Sequence, residues 1–318
     1  MAVKRFTPGR RRPPTKPDLL SGPYAEEKRK RYYGKLVGSL GIREKRGSIG
    51  FTVGVDSKER LVQADFNAFR HLAIGGTGYA DEPILQSMTV ELAAKYSPQK
   101  LQLLLIDGAG ETFSMFGRLP HLISGGVVTE IPLALGALDW AIGEMERRFE
   151  LFNAKIQTGA RIWNVDDYND ACAENEEKLA KILIVVGELR ALMSEDCRGT
   201  ERRLQELMQM GHAAGIHVVV ATGFVSPDVL KGTIRVRCGA KIAFRLFDER
   251  ASRVILEEGG AETLDERGEL LFVCNGWAEP MRARVTKLTS AELEEYVLDA
   301  VERYAVNPNY INVKFILE

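Results

Sequence analysis

Gly75-Gly76-Thr77-Gly78-Tyr79-Ala80-Asp81-Glu82-Pro83 decides how this chain is read. It follows the strand-like run Leu72-Ala73-Ile74 and precedes the helix-like run Ile84 to Leu92. A glycine-rich turn between a strand and a helix is where a phosphate-binding loop sits. The chemistry of such a loop is missing here. A phosphate cradle needs backbone N–H groups that converge on the anion, a Lys for the β and γ phosphates, and a Ser or Thr for Mg²⁺. The slots after the glycines hold Ala80, Asp81 and Glu82 instead.

The flanking chain alternates strand and helix, which predicts an α/β fold with a mainly parallel sheet and helices on both faces. Strands are expected at 101–106, 181–186, 216–221, 241–245 and 269–273. All are short, rich in Val, Ile and Leu, and largely apolar, as expected of strands buried on two faces. Helices are expected at 83–95, 132–152, 197–214, 249–257 and 290–304. In the second of these, Leu138, Ala141, Ile142, Met145, Phe149 and Phe152 recur at three- and four-residue spacing. Ahead of the first parallel strand, Ile49–Val55 and Arg60–Ala64 read as a hairpin around Asp56-Ser57-Lys58-Glu59.

Composition bounds the rest. With 318 residues and 45% hydrophobic content the chain buries a substantial core. A formal charge of −1 conceals an asymmetry: residues 1–46 carry 14 Lys/Arg against 4 Asp/Glu, leaving 29 against 40 in the remainder. That basic segment, with Arg10-Arg11-Arg12-Pro13-Pro14 at its start, is expected to be a flexible arm followed by a charged helix over 24–40. It suits contact with nucleic acid or an acidic partner, or a solubilising tail. The domain plan is therefore an arm over 1–47, a folded domain over 48–306 and a tail over 307–318. Cys172, Cys197, Cys238 and Cys274 are too far apart for a metal knuckle or redox pair. No apolar run reaches the roughly 18 residues of a membrane span and no apolar signal core opens the chain, so it reads as cytoplasmic, without membrane contact.

Between Ile49 and Leu288 the ordered segments resemble the motor domain of the FtsK/SpoIIIE DNA translocases and the related EssC/EccC secretion ATPases. The pieces that carry the resemblance are His71–Thr77, Leu103–Asp107, Leu119–Leu122 with Val127-Val128-Thr129, Glu144–Phe152, Ala214–His217, Ala221-Thr222, Lys241–Phe244, Ser252–Leu256 with Gly259–Glu262, and Arg267–Phe272. The resemblance implies a RecA-like P-loop fold, a hexameric ring around DNA, and ATP with Mg²⁺ as cofactors.

At the implied nucleotide site the residues depart from that family. Gly76, Thr77 and Gly78 keep the small turn, but the loop is one residue short. Ala80 falls at the second Gly, Asp81 at the Lys and Glu82 at the Ser/Thr. The Asp-Glu that closes the family's next functional strand is Gly187-Glu188, and the polar Gln after Ala-Thr is Gly223. Three separated segments have lost polar function together. The expectation is a catalytically degenerate domain, a pseudo-ATPase without cofactor, that scaffolds or binds DNA or protein. Asp81-Glu82-Pro83 is expected to act as a built-in helix cap with carboxylates in place of phosphate.

Two alternatives remain: an active ATP-dependent DNA translocase, and a non-hydrolysing ring subunit whose Arg253 serves as an arginine finger for a competent partner ATPase. Arg253 otherwise makes an ordinary salt bridge, and Glu188 is a residual polar group or a general base. Lys231, Arg235 and Arg237 match the family's DNA-contact segment, or form a solvated basic edge. Asp166, Asp167, Glu174, Glu176 and Glu177 form an acidic stretch, read as a solvated face or a docking site, and Trp163 and Trp277 are expected to pack inside.

Overall fold

The computed structural model describes residues 46–78, 80–285 and 287–304. The described residues fall within one unit of the chain, Ile42–Glu318. The readings made for the basic arm, for Arg10, Arg11 and Arg12, and for the tail after 306 lie outside the described residues.

Nine strands form one sheet. In chain order they are β1 (Gly50–Val55), β2 (Leu61–Asp65), β3 (Leu72–Gly75), β4 (Leu101–Ile106), β5 (Lys181–Val186), β6 (Ile216–Thr222), β7 (Ala240–Ala243), β8 (Glu269–Cys274) and β9 (Met281–Arg284). Their spatial order is β2-β1-β9-β8-β7-β3-β6-β5-β4. The half from β7 to β4 is parallel, while β8, β9, β1 and β2 continue it antiparallel. The expected parallel sheet is therefore present, and the expected hairpin β1–β2 is bound to it through β9, where Val55 faces Arg284. Strand β9 was not foreseen. Its sequence, Met-Arg-Ala-Arg, is mostly exposed, and only pairing with β8 makes it a strand.

The helices are α1 (Phe66–Phe69), α2 (Glu82–Lys95), α3 (Ile131–Gln157), α4 (Val165–Ala171), α5 (Leu189–Glu195), α6 (Cys197–Met210), α7 (Gly232–Arg235), α8 (Glu249–Leu256) and α9 (Ser290–Tyr304). One core layer joins Leu104, Ile106, Ile182, Ile184, Val186, Val218 and Val220 of the parallel strands to Ala134, Leu138, Ala141 and Met145 of α3, Leu192 of α5, Leu204 and Leu207 of α6, and Ile255 of α8. The alternate strand residues Leu103, Leu105, Leu183, Val185 and Val219 are equally buried. The two-residue period of a strand turns them to the opposite face of the sheet, and helices α2 and α9 pack on each other. Burial on both faces explains why these strands carry no alternating polar residues.

Helix α3 runs five residues past its expected end, and α6 stops four residues early. At Gly211 the backbone N–H still bonds Leu207 O, while Ile216 N–H turns back to Gly211 O, so the chain leaves α6 for β6 through a tight loop. Arg148, buried on α3, donates at 2.8 Å to both Ala180 O and Ala214 O and pairs with Glu144. This fixes α3 against the entries of β5 and β6. Trp163 corrects the expectation of a packing residue: it is 82% exposed. Trp277 is partly exposed and stacks edge-on against Phe272, centroids 5.2 Å apart. Among the described residues no helix is long and apolar enough to cross a membrane.

Candidate functional site

Strands β3, β6 and β5 are neighbours, so their carboxyl ends bring Gly76–Asp81, Thr222-Gly223 and Gly187-Glu188 to one edge of the sheet. In an open parallel sheet this edge is where ligands bind. The three segments that departed together in sequence thus meet in space.

The loop after β3 is tied down by its own backbone. Gly76 N–H bonds Thr222 O at 3.3 Å, Thr77 N–H bonds Arg245 O at 3.1 Å, and Ala80 N–H turns back to Thr77 O at 3.3 Å. The Thr77 hydroxyl also donates to Arg245 O, at 3.0 Å. Asp81 stands at the N-cap of α2 with Pro83 in the first turn. The expected cap is not made. Asp81 has helical angles, φ −85° and ψ −18°, and its side chain accepts no capping bond. A capping side chain needs the extended backbone of a true N-cap to reach back over the first amides.

Asp81 is only 6% exposed. Burial pushes its carboxyl up to about 7, opposed by a hydrogen bond from its own backbone N–H and reinforced by the charges of Glu188 and Glu82. Glu82 is held by Gln86, whose Nε2 donates to Glu82 Oε1 at 2.8 Å and to Thr112 O at 3.1 Å.

Glu188 is fully engaged. Its Oε1 accepts the Arg190 N–H and the Thr222 hydroxyl, both at 2.8 Å, and its Oε2 accepts the Gly223 N–H at 2.9 Å. It is the N-cap of α5 and a clasp between β5 and β6. Beside it, Arg190 lies over the Phe224 ring, 5.1 Å from the centroid.

Gly187 has a local explanation that sequence reading missed. Asp107, at the end of β4, accepts the Phe113 N–H at 2.9 Å and the Gly110 N–H at 3.1 Å. The turn so formed sets the Phe113 ring over Gly187, where a Cβ would lie 3.2 Å from Cε2 of the ring and 3.4 Å from Ile106 O. The signal in the sequence was Phe113 with Phe116, two aromatics in a glycine-rich loop, both fully buried.

The remaining candidates lie apart from this cluster. Arg253, on α8, is 62% exposed at its side chain and pairs with Glu249 at 2.6 Å. Lys231 precedes α7 and faces Asp228 at 3.8 Å. Arg235 donates to Val254 O at 2.6 Å with its Nε buried, which ties α7 to α8. Arg237 donates to Thr233 O and, at 3.4 Å, to Gln209. In the acidic stretch, Asp166 pairs with Lys181, Asp167 and Asp170 with Arg46, and Glu176 with Lys155. Among the described residues no group of His, Cys, Asp and Glu is arranged to hold a metal ion.

A parallel sheet with a glycine-rich strand-to-helix turn at its carboxyl edge defines a RecA-like P-loop ATPase fold. Residues 41–258 match the FtsK/SpoIIIE family, and the chain belongs to that family. It is 34% identical over 269 residues to the DNA translocase FtsK of Clostridium tetani, an alignment covering 84% of this chain and 35% of that protein. The chain thus spans about a third of the length of the curated relatives it matches. Among solved structures, the cytoplasmic domain of the type VII secretion ATPase EccC of Thermomonospora curvata superposes with a TM-score of 0.70 at 21% identity, over 82% of this chain and 32% of that one. The pCW3 conjugation coupling protein TcpA, in its monomer form with ATPγS, gives 0.67 at 22%, over 81% and 71%. At these identities the structures speak to the fold alone.

Proposed function

We propose that this chain is a DNA- or protein-binding member of the FtsK/SpoIIIE family that does not turn over nucleotide itself and acts as a scaffold or ring subunit. One observation carries the reading: the edge that would hold the phosphates offers carboxylates and spent amides in place of an anion cradle. The N–H groups of Gly76, Thr77 and Ala80 already have carbonyl partners. Asp81 puts a carboxyl where the family motif has its Lys, and Glu82 puts one where it has Ser or Thr. ATP with Mg²⁺ does not fit these residues.

The magnitude supports the sign. A unit charge pair about 4 Å apart is worth roughly 4 kcal/mol at an effective dielectric near 20, so replacing an attractive Lys by an ionised Asp swings the balance by about 8 kcal/mol. A micromolar affinity is itself about 8 kcal/mol. When Asp81 is protonated, as burial favours below pH 7, only the first half of that swing applies. The missing Lys alone then removes about half of the binding free energy of an ordinary micromolar affinity.

A second reading, an active ATP-dependent DNA translocase, is favoured by the relatives, which carry that name at 31–35% identity. Titration with ATP and Mg²⁺, followed by phosphate release with and without duplex DNA, separates the two. The proposal expects no micromolar binding, no release, and salt-dependent DNA binding or capture of a protein partner. DNA-stimulated release by the chain alone establishes the translocase. Release only after a competent homologue is added, and lost with Arg253→Ala, assigns Arg253 to a partner's site.

A further inference from the structure

The two outer edges of the sheet differ. Beside β4 the chain returns as an extended segment: Leu103 N–H bonds His121 O at 2.8 Å and Ile123 N–H bonds Leu103 O at 3.1 Å. Further along, Val128 N–H bonds Leu105 O and Asp107 N–H bonds Val128 O, both at 2.9 Å. Strand β2 ends the sheet on the other side, with no strand beyond it among the described residues. Its sequence, Leu61-Val62-Gln63-Ala64-Asp65, carries no Lys or Pro to blunt that edge. The Asp65 carboxylate is already taken by the Ser48 hydroxyl and by the N–H groups of Ile49 and Asn67. An open row of N–H and C=O groups is a template for another strand.

The chain itself carries a segment of that kind. After α9, outside the described residues, the sequence reads Asn307-Pro308-Asn309 and then Tyr310-Ile311-Asn312-Val313-Lys314-Phe315-Ile316-Leu317-Glu318. Asn-Pro marks a turn. Ile311, Val313, Phe315 and Leu317 alternate with the mostly polar set Asn312, Lys314, Ile316 and Glu318, which is the two-residue period of a strand with one apolar face. The end of α9 lies at the matching corner. Arg303 donates to Ala94 O at 3.1 Å, and the Tyr304 ring stands edge-on to His121, centroids 5.3 Å apart. His121 bonds Tyr96 O at 2.7 Å, the Tyr96 hydroxyl accepts the Gly50 N–H at 2.9 Å, and Gly50 faces Asp65, the last residue of β2. Residues 305–311 extend up to about 25 Å, the scale of that relay.

We propose that the open edge of β2 is a strand-accepting surface and that its occupant is the segment 311–317 of the same chain. Entering at Asp65 and running toward Leu61, the segment lies antiparallel to β2. Directly opposed residues of two strands share a face. Val313 and Phe315 therefore stand beside Ala64 and Val62, which are buried, while Lys314 stands beside the exposed Gln63. A slip of one residue would turn the apolar set to solvent, so the pattern selects this parity. The same chain is preferred to a second copy because a strand tethered at Tyr304 meets the edge at an effective concentration on the order of millimolar.

The test compares the full chain with Val313→Pro, Phe315→Asp and Lys314→Ala, substitutions that leave β1 and β2 intact. Proline removes an N–H that the ladder needs, aspartate puts a charge on the apolar face, and the alanine variant changes only the solvent face. Amide hydrogen exchange in β2 is read by NMR, with sedimentation velocity as a parallel readout. The amides of β2 that face away from β1 are expected to exchange slowly in the unaltered chain and in Lys314→Ala. In Val313→Pro and Phe315→Asp they are expected to exchange about tenfold faster or more, the loss of about 1.4 kcal/mol of docking. Equal exchange in all four chains, whether fast or slow, overturns the proposal. Protection that fades on dilution and accompanies a dimer gives the edge to a second copy and overturns docking within one chain.

Discussion

Glu188 grips Gly223 across two strands: Oε2 accepts the glycine N–H at 2.9 Å while Oε1 holds the Thr222 hydroxyl and the first turn of α5. A carboxylate committed to three donors is a clasp. Its removal takes away a helix cap, worth about 1 kcal/mol, and leaves the Gly223 N–H and Thr222 hydroxyl without their acceptor, at about 1 kcal/mol each. Glu188→Ala is expected to lower stability by about 2–3 kcal/mol in urea denaturation, and Glu188→Gln by about half as much. A change near zero in both would show that the clasp does not hold in solution.

Asp81 makes stability depend on pH in a defined direction. Burial pushes its folded carboxyl up to about 7 from an ordinary value of 3.8, so between these values the folded state holds more protons than the unfolded state. Stability therefore falls as pH rises through this window, by up to about 4 kcal/mol once Asp81 is ionised. Asp81→Asn is expected to raise the melting midpoint at pH 8 and to leave it unchanged at pH 4. An equal shift at both pH values would sink the assignment.

The buried histidines act in the opposite sense. Burial lowers His217 and His121 to about 4 and holds His71 well below the usual range. Each ring makes one bond, His217 Nδ1 donating to Arg70 O, His121 Nε2 to Tyr96 O, and His71 Nδ1 accepting the Val218 N–H, while His71 Nε2 and His121 Nδ1 are buried without a partner. The unfolded state binds the extra protons first, so this stability is complete above pH 6.5 and is lost as pH falls, for His217 and His121 toward pH 4 and at up to about 3 kcal/mol for each of those two rings. NMR titration of the imidazoles is expected to show no protonation of His217 above pH 5. A folded His217 titrating near 6.5 would overturn the burial argument.

Phe113 and Gly187 are coupled. A Cβ at 187 meets the ring at 3.2 Å, so Gly187→Asp is expected to cost about 1–3 kcal/mol through overpacking. Phe113→Leu in the same chain is expected to recover part of that loss, which a double-mutant cycle reads as a non-zero coupling. Additive effects would mean that the ring does not occupy the space an aspartate needs.

The strand–helix rhythm made the parallel core legible, because Leu101–Ile106, Lys181–Val186 and Ile216–Ala221 are apolar apart from Gln102, Lys181 and His217 and must lie between two layers. Strand β9 and helices α1, α5 and α7 were not legible. Each is short, and each exists through pairing or packing that local propensity does not encode. Asp81 was misread as a cap for a related reason: residue type favours capping, but the backbone angle that permits it is set by the loop tied to Thr222 and Arg245. Trp163 was placed inside by its size, and the turn into α4 leaves it in solvent.

What the sequence by itself determined is the family, the parallel order of the core strands, and the residue types at the edge: no Lys after the glycines, carboxylates in its place, and glycine where an aspartate is expected. What only the tertiary structure decided is how those residues are spent. Glu188 became a clasp because Thr222 and Gly223 end the neighbouring strand, Gly187 sits under Phe113 because Asp107 turns the loop after β4, and Asp81 is buried without capping the helix it precedes. Residue type fixes charge and size, but the partner each group meets depends on which strands lie side by side, and that is a property of the folded sheet.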